Sequence, residues 1–122
     1  MSTARGAAMQ ALVALQRGRA DRLREALQTR NLAPRDQAFA FELAHGVVRR
    51  QRLLDHVLLG LAHRGLPKDP QLQVVLRLGA YQLLFVAGMP AHAAVHETVE
   101  LVRGNRGFAN AVLRRLSDAV QD

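Results

Sequence analysis

Residues 72–87 read LQVVLRLGAYQLLFVA, and no other stretch limits the fold as much. Only Gln73, Arg77 and Gln82 interrupt the apolar run, and Tyr81 adds one polar tip. A helix that is apolar on every side needs neighbours on every side. The run is short of the ~20 residues that cross a bilayer, and a charged Arg77 sits inside it. It therefore predicts the central helix of a bundle rather than a membrane span. Gly79 and Ala80 lie in its middle. Glycine there costs ~1 kcal/mol relative to alanine unless a second helix comes close enough to need it. Asp69-Pro70 is a strong N-cap and N1 pair for this helix, and Gly88-Met89-Pro90 ends it.

The flanking sequence repeats the helical period. Ala4, Ala7, Ala8, Ala11, Leu12 and Leu15 keep i, i+3, i+4, i+7 order, with Ser2 or Thr3 as N-cap and Gly18 as the stop. A short polar helix is expected over residues 20–29, with Leu23 and Leu27 as its large apolar residues. Pro34 and Asp36 open a long run over residues 35–63. Its apolar pattern pauses at Arg49, Arg50, Gln51 and Arg52, so one bent helix and two consecutive ones both fit. Gly65 and Pro67 stop it. After Pro90, the residues Ala91, Ala94, Val95, Thr98, Val99 and Val102 form a buried stripe. Gly104-Asn105-Arg106-Gly107 makes a tight link, and the last helix is expected to bury Phe108, Val112, Leu116 and Val120. No stretch alternates apolar and polar residues as a half-buried strand requires. The fold class is all-α, about six helices in one domain over residues 1–122, with mostly antiparallel neighbours.

A chain of 122 residues buries about two thirds of its unfolded surface. With no Trp, one Tyr and four Phe, that core must be Leu, Val and Ala. The absence of cysteine excludes disulfides, thiol nucleophiles and Cys-based metal sites. The first twelve residues lack the charge and apolar length of a signal peptide, so a cytoplasmic protein is expected.

Seventeen basic against ten acidic residues leave a net charge of +7, which suits an anionic partner, nucleic acid before membrane. All but one of those basic residues are arginine, which coding bias alone also produces. Position is therefore more informative than number. Arg49, Arg50 and Arg52 cluster, Arg103 and Arg106 flank the Gly104 link, Arg114 and Arg115 sit on the last helix, and Arg5 and Arg17 bracket the first. Arginine reaches phosphates and also stacks on bases. Phe108, beside Arg106, fits the buried stripe and is equally placed to stack on an unpaired base; the core is the commoner home for an aromatic.

Catalytic patterns are weaker. His92 and His96 have zinc-ligand spacing, but H-A-A-V-H-E is not H-E-x-x-H and no third ligand is evident, so no metal is expected. His45, His56 and His63 are expected at the surface or an interface. Ser2, Thr3, Thr29, Thr98 and Ser117 sit in no nucleophile turn, and no glycine-rich loop signals a nucleotide or methyl donor, so no cofactor is expected. Glu97 and Glu100 are read as a polar face with one buried, hydrogen-bonded carboxylate.

The sequence RLGAYQLLFVAGMPAHAAVHETVELVRGNRGFANAVLRRL resembles the NusB-type RNA-binding domain, and FELAHGVVRRQRLLD upstream fits it too. The motifs are Tyr-x-Leu-Leu, Pro-x-x-x-Ala-x-x-Glu-x-Val-Glu and Phe-x-Asn-x-Val-Leu. Gly-Val-x-Arg, Ala-Tyr-Gln-Leu-Leu and Asn-Ala-Val-Leu-Arg-Arg point to one branch, the N-terminal domain of the RsmB (Sun) ribosomal RNA cytosine-C5 methyltransferases. The resemblance implies a bundle of two three-helix halves packed at an angle. It also implies RNA as ligand, ribosomal or boxA-like and single-stranded, and ribosomal protein NusE or a methyltransferase domain as partner. In NusB proper, an Arg-rich first helix and the aromatic of the last helix belong to the RNA face. Phe108 matches that aromatic, whereas the first helix here holds only Arg5, and the link before Phe108 is shorter. A full RsmB enzyme adds a methyl-donor domain with catalytic cysteines. The expectation is a non-enzymatic RNA-binding module, acting in antitermination or ribosomal RNA targeting, that uses Arg5, Arg49, Arg50, Arg52, Arg103, Arg106, Phe108, Arg114 and Arg115. The alternative is a docking domain for a ribosomal protein or for the catalytic part of a methyltransferase.

Overall fold

A computed structural model describes residues 3–121. Six helices follow one another: α1 (Ala4–Gln16), α2 (Leu23–Ala26), α3 (Pro34–Leu61), α4 (Pro70–Phe85), α5 (Ala91–Val99) and α6 (Arg106–Gln121). No strand occurs among the described residues. One half contains α1, α2 and α3, the other α4, α5 and α6. The halves meet where α4 packs on both α3 and α1.

The expected central helix is α4. Leu72, Val74, Val75, Leu76, Leu78 and Ala80 are all buried, and so are Arg77, Tyr81 and Gln82. Asp69 caps it, accepting from the Leu72 N–H at 3.1 Å, and Val86 leaves the helical region at φ −97°, ψ 100°. Gly79 has the close neighbour its cost demands. A Cβ at that position would lie 2.5 Å from Leu113 Cδ1 and 2.8 Å from Cδ2, so α6 sits on bare α4 backbone. Gly46 does the same for α3, because a Cβ there would overlap the Tyr81 ring.

Buried polar groups tie the elements together. Arg77 forks onto Asp55, with Nε to Oδ1 at 2.8 Å and Nη2 to Oδ2 at 3.1 Å, and its Nη1 donates to Gln16 Oε1 at 3.2 Å. One guanidinium thus joins α4, α3 and α1. Gln82 accepts from Arg5 Nε at 2.7 Å and donates to Thr98 Oγ1 at 2.8 Å, joining α4 to α1 and α5. These satisfied bonds make a polar side chain tolerable on an otherwise apolar helix.

Several expectations change. The helix proposed over residues 20–29 is a single turn, Leu23–Ala26. Arg22 gives it no side-chain cap, and Leu27 turns extended at φ −82°, ψ 104°. The pause at residues 49–52 is a kink in one helix, with Arg50 at φ −113°, ψ 17°. Thr3 is the N-cap of α1, accepting from the Gly6 N–H at 2.9 Å; Ser2 lies outside the described residues. In α5 the stripe holds for Ala94, Val95, Thr98 and Val99, but Ala91 is only partly buried. In α6 the buried stripe is Ala109, Val112, Leu113 and Leu116; Phe108 and Val120 are exposed. The helix begins at Arg106, earlier than the link predicted, and the close approach at Gly79 draws Leu113 inward, turning Phe108 outward.

Candidate nucleic-acid interface

Three guanidinium groups converge on one cleft of about 600 Å3. Arg19 stands just past α1, and Arg103 and Arg106 flank the α5–α6 link; Gln10, Gln71 and Glu100 share the lining. The local backbone builds this arrangement. Gly18, at φ 74°, closes α1 and lets the Arg19 N–H return to the Ala14 carbonyl at 2.8 Å. Asn105, at φ 61°, turns the link into α6; asparagine tolerates that left-handed conformation better than most side chains.

The three arginines are not equivalent. Arg106 Nε donates to the Val102 carbonyl at 2.8 Å and Nη2 to the Glu100 carbonyl at 3.3 Å. Its Nη1 lies 3.7 Å from the Glu100 carboxylate. Arg106 therefore braces the link while keeping an exposed charge. No side-chain hydrogen bond holds Arg19 or Arg103 among the described residues. Glu100 is the one carboxylate in the lining, so the cleft remains net positive.

Phe108 stands two residues beyond Arg106 and is 37% exposed. It is not in the core, contrary to the commoner expectation for an aromatic.

The remaining arginines lie elsewhere. Arg50 stacks over the Phe85 ring at 4.1 Å, at the opposite end of α4 from Gln71, roughly 21 Å away along the helix. Arg49 and Arg52 are exposed on the outside of α3. Arg5 is half-buried. It bonds Gln82, sends Nη2 to Met89 Sδ at 3.3 Å, and lies 5.4 Å above the Phe39 ring. Burial pushes its guanidinium pKa down and Glu97 partly offsets that. Arg115 Nη1 donates to the Leu61 carbonyl at 3.0 Å, satisfying the open end of α3. Arg114 reaches Asn110 at 3.3 Å and borders a separate hollow beside His92. The structure thus brings Arg103 and Arg106 together, leaves the other clusters apart, and adds Arg19. The sequence reading passed over Arg19; its signal was the Gly18 stop, which folds the next residue back along α1.

The other candidates are also placed. No group of three potential metal ligands occurs among the described residues. His92 and His96 are exposed, and His96 Nε2 lies 3.7 Å from Glu100. Glu97 and Glu100 are both exposed, so neither is the buried carboxylate expected of that pair. Thr98 is consumed by Gln82. No helix among the described residues is long and apolar enough to cross a membrane.

Two three-helix halves joined along one buried helix, with an arginine-lined cleft where the halves meet, define an all-α bundle of a recognisable class. The chain belongs to the NusB family, whose model matches residues 2–118. It is 43% identical over 123 residues to the ribosomal RNA small subunit methyltransferase B of Thermus thermophilus, covering 94% of this chain and 30% of that protein. It is 30% identical to the transcription antitermination protein NusB of Nitratidesulfovibrio vulgaris, covering 70% and 56% respectively. The solved structure of T. maritima NusB superposes with a TM-score of 0.82 at 22% identity, over 94% of this chain and 88% of that one. The chain is a NusB-like domain similar to the N-terminal region of the methyltransferases, and it spans less than a third of the length of the methyltransferase relatives it matches.

Proposed function

We propose that residues 1–122 act as one non-catalytic RNA-binding module, holding single-stranded RNA phosphates at Arg19, Arg103 and Arg106 with Phe108 placed against a base. The carrying observation is the cleft. It gathers three permanently charged guanidinium groups against a single carboxylate, and two of the three have no competing side-chain bond. One relative is named for ribosomal RNA methylation, which supports RNA as the ligand class, and another is named for transcription antitermination. The role proposed here is ribosomal RNA targeting or antitermination, with chemistry supplied by a different domain.

Filter binding of a single-stranded RNA across salt tests this. If about three phosphates are neutralised, log K falls against log salt with a slope near −2. Arg103→Ala and Arg19→Ala each make that slope shallower by about 0.7. Phe108→Ala weakens binding by about 1–3 kcal/mol and leaves the slope unchanged, because stacking carries no counterion. Absence of RNA affinity at low salt, or slopes unmoved by either arginine variant, overturns the reading.

A further inference from the structure

The helix α5 starts without a side-chain cap, because Pro90 precedes it and offers no acceptor. Its first backbone bond runs from the Ala94 N–H to the Pro90 carbonyl at 3.0 Å. The N–H groups of Ala91, His92 and Ala93 therefore have no partner among the described residues. A hollow of about 320 Å3 lies against this turn. Pro90, Ala91 and His92 line one side, and Arg114, Ser117 and Asp118 of α6 line the other. Ser117 is only 8% exposed. Its side chain lines the hollow, and its hydroxyl makes no hydrogen bond among the described residues. Buried hydroxyls are normally bonded, so this one is an observation independent of the helix start. Arg114 spends only Nε, on Asn110 at 3.3 Å, and makes no ion pair with Asp118 one turn further on, so both Nη nitrogens are available.

The chemistry of the lining selects the ligand. Backbone N–H groups, the Ser117 hydroxyl, the Arg114 guanidinium and the His92 ring are all donors or can donate. The positive end of the α5 dipole adds to Arg114. Asp118, exposed at the rim, is the one opposing charge. A base or an amide would need acceptors to match its own donors, and an oxyanion needs none. Donors on two helices also meet a ligand from two sides, which suits a tetrahedral group better than a planar carboxylate. We propose that the hollow between the start of α5 and the last turns of α6 is a phosphate-binding site, with Arg114 and Ser117 reaching the phosphate oxygens beside the open N–H groups of α5. It shares no lining residue with the arginine cleft. Arg106 and Arg114 are about 12 Å apart along α6, so one strand of a few nucleotides can engage both. The site rests on the RNA reading for the source of its phosphate and not for its chemistry.

The first probe is inorganic phosphate, titrated into the full chain at constant ionic strength and followed by heteronuclear NMR. The amides of Ala91, His92, Ala93 and Ser117 should shift together and saturate. Arg114→Ala should weaken that binding by about tenfold and Ser117→Ala by about fivefold. Asp118→Asn, which removes the opposing charge, should tighten it by about threefold. All three variants should keep the parent's unfolding midpoint within a few degrees and leave phosphate-induced shifts at Arg103 unchanged. The second probe is one single-stranded RNA made with a 5′-phosphate and with a 5′-hydroxyl. Equal shifts at α5 assign the site to a phosphate within the strand, and shifts with the 5′-phosphate alone assign it to the strand's end; either supports the proposal. No saturable shift at α5, acetate binding as tightly as phosphate, or Arg114 and Asp118 variants that move affinity in the same direction would each overturn it. Phosphate bound here by a chain whose cleft ignores RNA would sink the RNA reading alone. An intact salt slope at the cleft with no phosphate bound here would sink this site alone.

Discussion

Arg77 is a charged residue on a helix that has room for none, and its retention is explained by three partners. Its fork to Asp55 and its third bond to Gln16 give each of the three guanidinium nitrogens a partner. Removing one member of such a pair strands the other. Arg77→Met should therefore destabilise the fold by about 3 kcal/mol in urea denaturation, and adding Asp55→Leu should recover most of the loss. Gly46 and Gly79 fail differently. Gly79→Ala meets the flexible end of Leu113, so overpacking of about 1–3 kcal/mol is partly offset by about 1 kcal/mol of helix propensity. Gly46→Ala meets the rigid Tyr81 ring and should cost more in the same titration. Tyr81 also carries a pH signature. Burial raises its phenol above 10.0, Glu42 adds to the rise, and Arg49 and Arg50 oppose it. A raised folded-state pKa means that the unfolded chain loses this proton first. The contribution is therefore full below about pH 10 and is lost as pH rises through Tyr81's folded-state value. Tyr81→Phe should flatten the alkaline fall in stability seen by chemical denaturation.

Elements differ in how much of them is anchored. In α2 no residue is buried, whereas most of α4 is. Hydrogen exchange should find the amides of Leu23–Ala26 the least protected helical amides and those of Leu76, Leu78 and Ala80 among the slowest. The same contrast explains what was legible beforehand. The identity of α4, its Asp69-Pro70 start and the need for a close neighbour at Gly79 were all carried by local sequence. The pattern over residues 20–29 was not sufficient. Leu23 and Leu27 are two apolar residues with polar surroundings, and tertiary contact decides whether such a run coils. The face of α6 was misread for a related reason. Phe108 and Leu113 both fit an apolar period, and only the bare backbone at Gly79, on a different helix, selects Leu113 for the interior. Likewise the arginines could be counted, but their destinations could not. Arg115 satisfies the end of α3 and Arg5 satisfies Gln82, two uses that depend on partners 54 and 77 residues away in the chain.

At the scale of the molecule, net charge of +7 concerns where anions go, and its distribution is uneven. The arginine cleft sits at the start of α4, while Arg50 and Phe85 sit at its end. Raising salt from low to physiological should weaken RNA at the cleft. A binding titration at two ionic strengths reads this directly. α4 also has a mechanical meaning for the whole chain. Because it supplies a wall to the interior of both halves, neither half closes without it. Cutting the connection between Leu61 and Pro70 would leave residues 1–61 with an open trough along α3, and residues 70–122 with a helix stripped down one side. Two such pieces should be unstructured when separate and regain circular dichroism only when mixed, as complementary fragments of one indivisible unit.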